Sequence, residues 1–146
     1  MSRSFGTPAE VVFDVFTNAS RYPEYTPIRS VEMERLGDGA PDGAGAIRVL
    51  RPPGPLAVRE LVTEYERPRL FAFEVISGGG PAGSYRGRLA FAPEASGSVV
   101  VTYGVELEPR VPGTGLAVAA GFRGAIEVLM RLAGPEARRR AAAPAS

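Results

Sequence analysis

The sequence predicts an α+β protein in which a curved antiparallel sheet of six to seven strands wraps around one long C-terminal helix. Five or six alternating segments follow one another between residues 28 and 108, separated by short breaks rich in Gly and Pro. The helical patterns lie outside that run, two short ones before it and one long one after it. Strands segregated from helices define the α+β class. A twisted sheet with one apolar face must bury that face, and the last helical pattern is the only long apolar partner available.

A first strand fits Arg3–Phe5. Thr7-Pro8-Ala9-Glu10 then reads as a helix start, with Thr7 as cap, Pro8 at the first helical position and Glu10 completing a capping box. Val11, Val12, Val15 and Phe16 form an apolar stripe at helical spacing, with Asp14 off it. This helix stops near Thr17-Asn18. A shorter one starts at Asn18 or Ser20, runs to Arg21-Tyr22 and is ended by Pro23. Ile28 to Leu36 alternates as a strand, Val31 and Met33 against Glu32 and Glu34. Residues 37–43, GDGAPDG, are a loop by composition. The positions after Asp38 do not supply calcium ligands and no Glu closes the loop. Nor does a βαβ unit surround it to make a dinucleotide site.

Strand patterns recur at Ala46–Arg51, Leu56–Glu66, Leu70–Ile76, Ser84–Phe91 and Ser98–Glu108. The breaks between them, such as Pro52-Pro53-Gly54-Pro55 and Arg67-Pro68, are too short for a parallel crossover, so neighbours run antiparallel. Val99, Val101, Tyr103, Val105 and Leu107 share one face, as do Tyr85, Leu89 and Phe91, and Phe71, Phe73 and Val75. Glu74, Arg86, Arg88 and Glu106 make the other face wet. From Leu116 to Leu132, Val118, Phe122, Ala125, Ile126, Leu129 and Ala133 fall on one helical face, with Arg123, Glu127 and Arg131 opposite. Gly134-Pro135 is expected to end the helix. The chain then divides into a single domain over 1–133 and a disordered Ala/Arg/Pro tail over 134–146.

Composition bounds the chemistry. The 146 residues include no Cys and no His, and all 17 basic residues are Arg. Zinc sites of the usual kind, Ser-His-Asp and Cys-His triads, Schiff-base lysines and P-loop lysines are all excluded. Neither a metal nor a cofactor is expected. Net charge is +1 with acids and arginines interspersed, which leaves no electrostatic footprint for nucleic acid. Arg138-Arg139-Arg140 reads as a solvated end rather than a binding patch. The first residues lack a signal-peptide run, and no apolar stretch approaches the ~20 residues of a membrane span, so a soluble cytoplasmic protein is expected.

The order of these elements, with Pro8-Ala9-Glu10-Val11-Val12-Phe13, Arg21-Tyr22-Pro23-Glu24-Tyr25-Thr26-Pro27, Gly43-Ala44-Gly45-Ala46-Ile47-Arg48, Arg59-Glu60, Glu66-Arg67-Pro68-Arg69-Leu70, Tyr85-Arg86-Gly87 and Pro112-Gly113-Thr114-Gly115, resembles the START-like (SRPBCC) superfamily in its polyketide cyclase/dehydrase branch. The resemblance runs from about Ser4 to Leu132. It implies a helix-grip fold with a cavity between sheet and last helix, and a lipid-like or polyketide-like apolar ligand as partner. It also brings Tyr25, where the family usually has Trp, into the candidate site.

Alternation and helical spacing direct Phe71, Phe73, Tyr85, Leu89, Tyr103 and Val105 from the sheet, and Phe122, Ile126 and Leu129 from the helix, toward that interior. Periodicity alone favours ordinary core for them, and the resemblance shifts the reading toward a partly hollow one. Gly121 and Gly124 leave room for a ligand or allow close approach of helix to sheet. Tyr85 and Tyr103 are the polar groups able to orient a ligand, since a buried phenol needs a partner. Arg59 and Glu60 are adjacent on one strand, so one points inward and the other out; Leu61 and Val62 leave open which. An inward Glu suits a general base and an inward Arg an enolate stabiliser, while a rim position makes both surface ion pairs. For a carrier the cavity alone suffices. For a cyclase or dehydratase of a poly-β-ketone-like substrate, Glu60, Arg59, Tyr103 and Tyr85 are the catalytic candidates.

Overall fold

The computed structural model describes residues 1–78, 84–108, 113 and 115–143, with the backbone alone at 84, 108, 115, 116, 118, 119, 121 and 122. The order is β1 (Ser2–Phe5), α1 (Ala9–Thr17), a 3₁₀ helix (Ala19–Glu24), β2 (Ser30–Arg35), β3 (Ile47–Arg51), β4 (Val58–Glu66), β5 (Leu70–Ser77), β6 (Ser84–Pro93), β7 (Val99–Glu108) and α2 (Gly115–Ala142). The expected turns at 78–81 and 112–115 fall largely outside the described residues, as do the side chains of Val118 and Phe122.

Seven strands form one antiparallel sheet in the order β1-β7-β6-β5-β4-β3-β2. The chain leaves β1 at one edge and reaches β2 at the opposite edge, so the two short helices must cross the sheet's inner face. That crossing explains the stripe on α1. Val12, Phe13, Val15 and Phe16 are all buried, and Phe13 meets Tyr65, Phe71 and Phe91 edge-on at ring separations of 5.3, 6.5 and 5.0 Å. Register slips lie between Met33 and Arg35, Arg59 and Glu60, and Val62 and Glu64. Each extra residue bends its strand and sharpens the local twist. The result is the curved sheet and long terminal helix of the helix-grip expectation.

Helix α2 has two parts. Met130, Ala133 and Ala137 are buried in the same core as Phe5, Phe13, Phe16 and Val99. The stretch around Ala125 to Leu129 stands over the sheet instead and covers a cavity. The expected stop at Gly134-Pro135 is corrected here, and so is the disordered tail as far as Ala142, because the helix continues through Pro135 to that residue. A proline interrupts one helical hydrogen bond and crowds the preceding turn. Against that, Ala133, Glu136 and Ala137 are sealed in the interior, and Glu136 pairs with Arg139 and Arg140. Tertiary burial overrides local propensity at this point.

Two smaller expectations also change. Pro8 occupies the N-cap of α1 and no side chain caps the helix, so the Thr7–Glu10 box does not form; Thr7 is buried instead. Pro23 lies inside the 3₁₀ helix rather than ending it.

Ala137 is fully buried, so Ala137→Leu should overpack the interior and cost about 1–3 kcal/mol in urea unfolding. A disordered tail would show no change.

Candidate functional site

A cavity of about 480 Å³ lies between the sheet and α2. Phe71, Phe73, Tyr85, Leu89 and Tyr103 form its sheet wall, and Ile126 and Leu129 face them from the helix. Thr26, Pro27, Ile28, Pro52, Val58 and the half-exposed Val128 also line it. Gly87 is what lets this wall close. A Cβ at that position would lie 2.5 Å from the Phe73 ring and 3.0 Å from the Tyr103 hydroxyl oxygen. Only a residue without a side chain allows both aromatics to lie across β6.

Seven of the expected lining residues therefore meet at one place. Two do not join them. Tyr25 is turned away: its hydroxyl donates to the Val15 carbonyl at 2.5 Å, and its ring sits between Tyr22 and the Arg140 guanidinium. Val105 is half-buried and packs against the core without reaching the cavity. The side chain of Phe122 lies outside the described residues. At Gly124 a Cβ would meet nothing within 4 Å, so close helix–sheet approach does not require glycine there.

The choice between Arg59 and Glu60 is resolved by register. Glu60 is buried and lines the cavity. Arg59 lies on the outer face, where its guanidinium pairs with Glu34 at 2.5 Å. The expectation that both sit at the rim is corrected for Glu60. The physical reason is the pairing of β3 with β4, which sets Arg48 directly opposite Glu60 on the inner face.

Arg48 is the functional residue that sequence reasoning missed. It is 1% exposed. Nη2 donates to Glu60 Oε1 at 2.7 Å, and Nη1 donates to the Thr17 carbonyl at 2.8 Å and to Asp42 Oδ1 at 3.3 Å. Its guanidinium carbon stands 5.1 Å from the Phe71 ring centre and 5.6 Å from that of Tyr22, within cation–π range. Among the described residues its Nε–H has no hydrogen-bond partner. Burial works against the charge, but the surrounding acceptors outweigh it and hold Arg48 protonated. A signal was available. Arg48 and Glu60 are equidistant from Gly54 in the Pro52–Pro55 break, so folding the hairpin about that glycine pairs them.

The same residues finish α1. The last carbonyls of a helix lack intrahelical donors. Here Tyr25 donates to Val15, Tyr22 to Phe16, and Arg48 to Thr17. A cation at this end also matches the helix dipole. Removing Arg48 would strand two carboxylates, so Arg48→Met should cost about 3–5 kcal/mol in chemical denaturation at neutral pH. Arg59→Met, at an exposed pair, should cost less than about 1 kcal/mol.

Burial pushes the phenols of Tyr22, Tyr25, Tyr65, Tyr85 and Tyr103 upward, Tyr22 to about 12. The lining tyrosines Tyr22, Tyr85 and Tyr103 are therefore neutral at physiological pH and act as hydrogen-bond donors and acceptors. The chain has no Lys, His or Cys, so in the unfolded chain these five phenols are the side chains that titrate around pH 10. A phenol whose folded pKa lies above its unfolded value leaves the native state binding more protons. Its contribution is fully present below about pH 10 and is lost as pH rises through the folded value. Urea unfolding should show stability falling with pH above about 10, and Tyr103→Phe should flatten that fall.

Among the described residues no helix is long and apolar enough to cross a membrane, and no group of three or more acidic, His or Cys side chains is placed to hold a metal. No curated protein sequence matches the chain. Solved structures do. A START superfamily protein from Mycobacterium smegmatis superposes with a TM-score of 0.75 at 15% identity, covering 95% of each chain. Ara h 8.0201 gives 0.76 at 12% identity, again over 95% of each. The di-domain ARO/CYC StfQ from the steffimycin biosynthetic pathway gives 0.76 at 16% identity over 96% of this chain and 44% of that one. These likenesses establish the fold. A sequence model described as polyketide cyclase/dehydrase and lipid transport matches residues 1–132, and the chain belongs to that family.

Proposed function

We propose that this protein binds a single apolar small molecule, lipid-like or polyketide-like, in the chamber between its sheet and α2. The observation that carries this reading is the chamber itself: about 480 Å³, walled chiefly by Phe, Leu, Ile and Val, with its buried polar groups supplied by the sheet and the 3₁₀ helix. Ligand sites commonly have this size and this mixture of apolar walls with a few convergent polar atoms. The family description joins cyclases with lipid transport, and both roles need such a space.

A second reading, cyclisation or dehydration of a poly-β-ketone-like substrate, is favoured by one feature. Tyr85 and Tyr103 are phenols held neutral beside a carboxylate, Glu60. They would donate to a substrate carbonyl while the chamber folds the chain so that reacting carbons meet, and Glu60 would take the α-proton. Against it, Glu60 Oε1 is already engaged by the Arg48 guanidinium, which ties up one of its two oxygens. Binding without turnover asks less of these residues and stands first.

Native mass spectrometry of the purified protein should find an apolar molecule bound one to one, and the emptied protein should take up the neutral dye Nile red. Leu89→Trp, which fills the chamber, should weaken dye binding at least about tenfold while the protein remains folded by circular dichroism. Protein that carries no ligand and excludes the dye would refute the reading. Turnover of a poly-β-ketone thioester that disappears in Tyr103→Phe, with dye binding kept, would move the second reading ahead.

A further inference from the structure

The reading above leaves the ligand's polar end undefined, and the charges around Arg48 define it. Arg48 is one cation shared between two carboxylates. Asp42 accepts from Nη1 behind the chamber wall, where it also accepts from the Ala19 amide at 3.4 Å. Glu60 accepts from Nη2 at the chamber itself. The guanidinium's charge is thus more than neutralised by the protein. Among the described residues lining the chamber, Arg48 and Glu60 are the only charged side chains.

Glu60 is not used up in the same way. Its Oε1 is bound to Arg48, and among the described residues its Oε2 accepts no hydrogen bond. Unlike Arg48 Nε, that oxygen is not sealed off from all contact, and Glu60 lines the chamber. A carboxylate oxygen there is an acceptor in a place that an apolar ligand would strip of water, and stripping it without replacement is costly. Tyr103 adds a neutral phenol to the same chamber.

We infer that the chamber selects an apolar ligand carrying a hydroxyl, aliphatic or phenolic, whose O–H donates to Glu60, and that it discriminates against apolar carboxylates. A hydroxyl suits both partners, since it donates to the Glu60 carboxylate while its oxygen accepts from a phenol such as Tyr103. A ketone accepts from the phenol but leaves Glu60 dehydrated and unpaired. A carboxylate brings a second negative charge beside Glu60 in a low-dielectric space, with Arg48 already committed, and is repelled.

This inference rests on the binding reading, and one titration separates their failures. Protein loaded with Nile red is displaced in turn by 1-decanol, 2-decanone and decanoate at pH 7.5, three probes of equal chain length. Decanol should displace at a concentration about tenfold lower than decanone, as for one hydrogen bond to a charged acceptor, and lower still than decanoate. In Glu60→Gln, checked for folding by circular dichroism, decanoate should gain at least about tenfold, because Arg48 then keeps its charge facing the chamber. Decanoate binding as tightly as decanol to the unaltered protein would overturn the selectivity while leaving the binding reading in place. Dye that never enters would overturn both.

Discussion

The fold depends on a buried cation. Arg48 joins β3 to Glu60 on β4, to Asp42 in the loop before β3, and to the carbonyl that ends α1. Taking a guanidinium out of water costs several kcal/mol, and only dense pairing recovers it. Two carboxylates, a helix carbonyl and two ring faces supply that pairing. Because the partners lie on separate elements, satisfying Arg48 fixes where α1 ends relative to the sheet. Tyr22 and Tyr25 follow from the same requirement, since they take the other two free carbonyls of that helix end. An arginine can do this where a lysine cannot: its planar fork reaches several acceptors in different directions while keeping its charge.

That anchor explains why the interior is not filled. Well-packed cores leave few voids larger than a water molecule, yet a chamber persists beside Phe71 and Phe73. The slips in β2–β3 and β4–β5 bend and twist the sheet beside it. On the other side the later part of α2 is drawn in tightly through Met130, Ala133 and Ala137. The helix is therefore held at its far end and by the core beneath it, and its span over β5 and β6 cannot collapse without pulling Ala137 out.

Much of this was legible in the residues and some of it was not, for identifiable reasons. Strict alternation in β5, β6 and β7 announced the inner face, and Phe71, Phe73, Tyr85, Leu89 and Tyr103 lie where period two puts them. β4 resisted because alternation fails within it. Val58, Glu60 and Val62 face inward, but the slip at Thr63 reverses parity and brings Tyr65 onto Phe13. Reading back from Tyr65 puts Arg59 inside; reading forward from Val58 puts Glu60 there. Arg48 hid for a different reason. An arginine between apolar residues on a short strand reads as an outward position until its partner is known, and the partner is set by the hairpin about Gly54. Pro135 misled because the burial that carries the helix past it involves Phe5 and α1, more than a hundred residues earlier in the chain.

A chain without Lys, His or Cys has few ways to move a proton near neutrality. Its cavity tyrosines are driven by burial further from ionisation, and Glu60, the carboxylate among the described lining residues, is bound to Arg48. Such a set is poor at exchanging protons and good at holding fixed donors and acceptors in a dry place, where each hydrogen bond discriminates strongly between ligands. The chemistry this interior does best is orientation. If turnover occurs here, its barrier must fall chiefly through the shape imposed on the bound chain, with Tyr103 and Glu60 fixing which oxygen lies at which end.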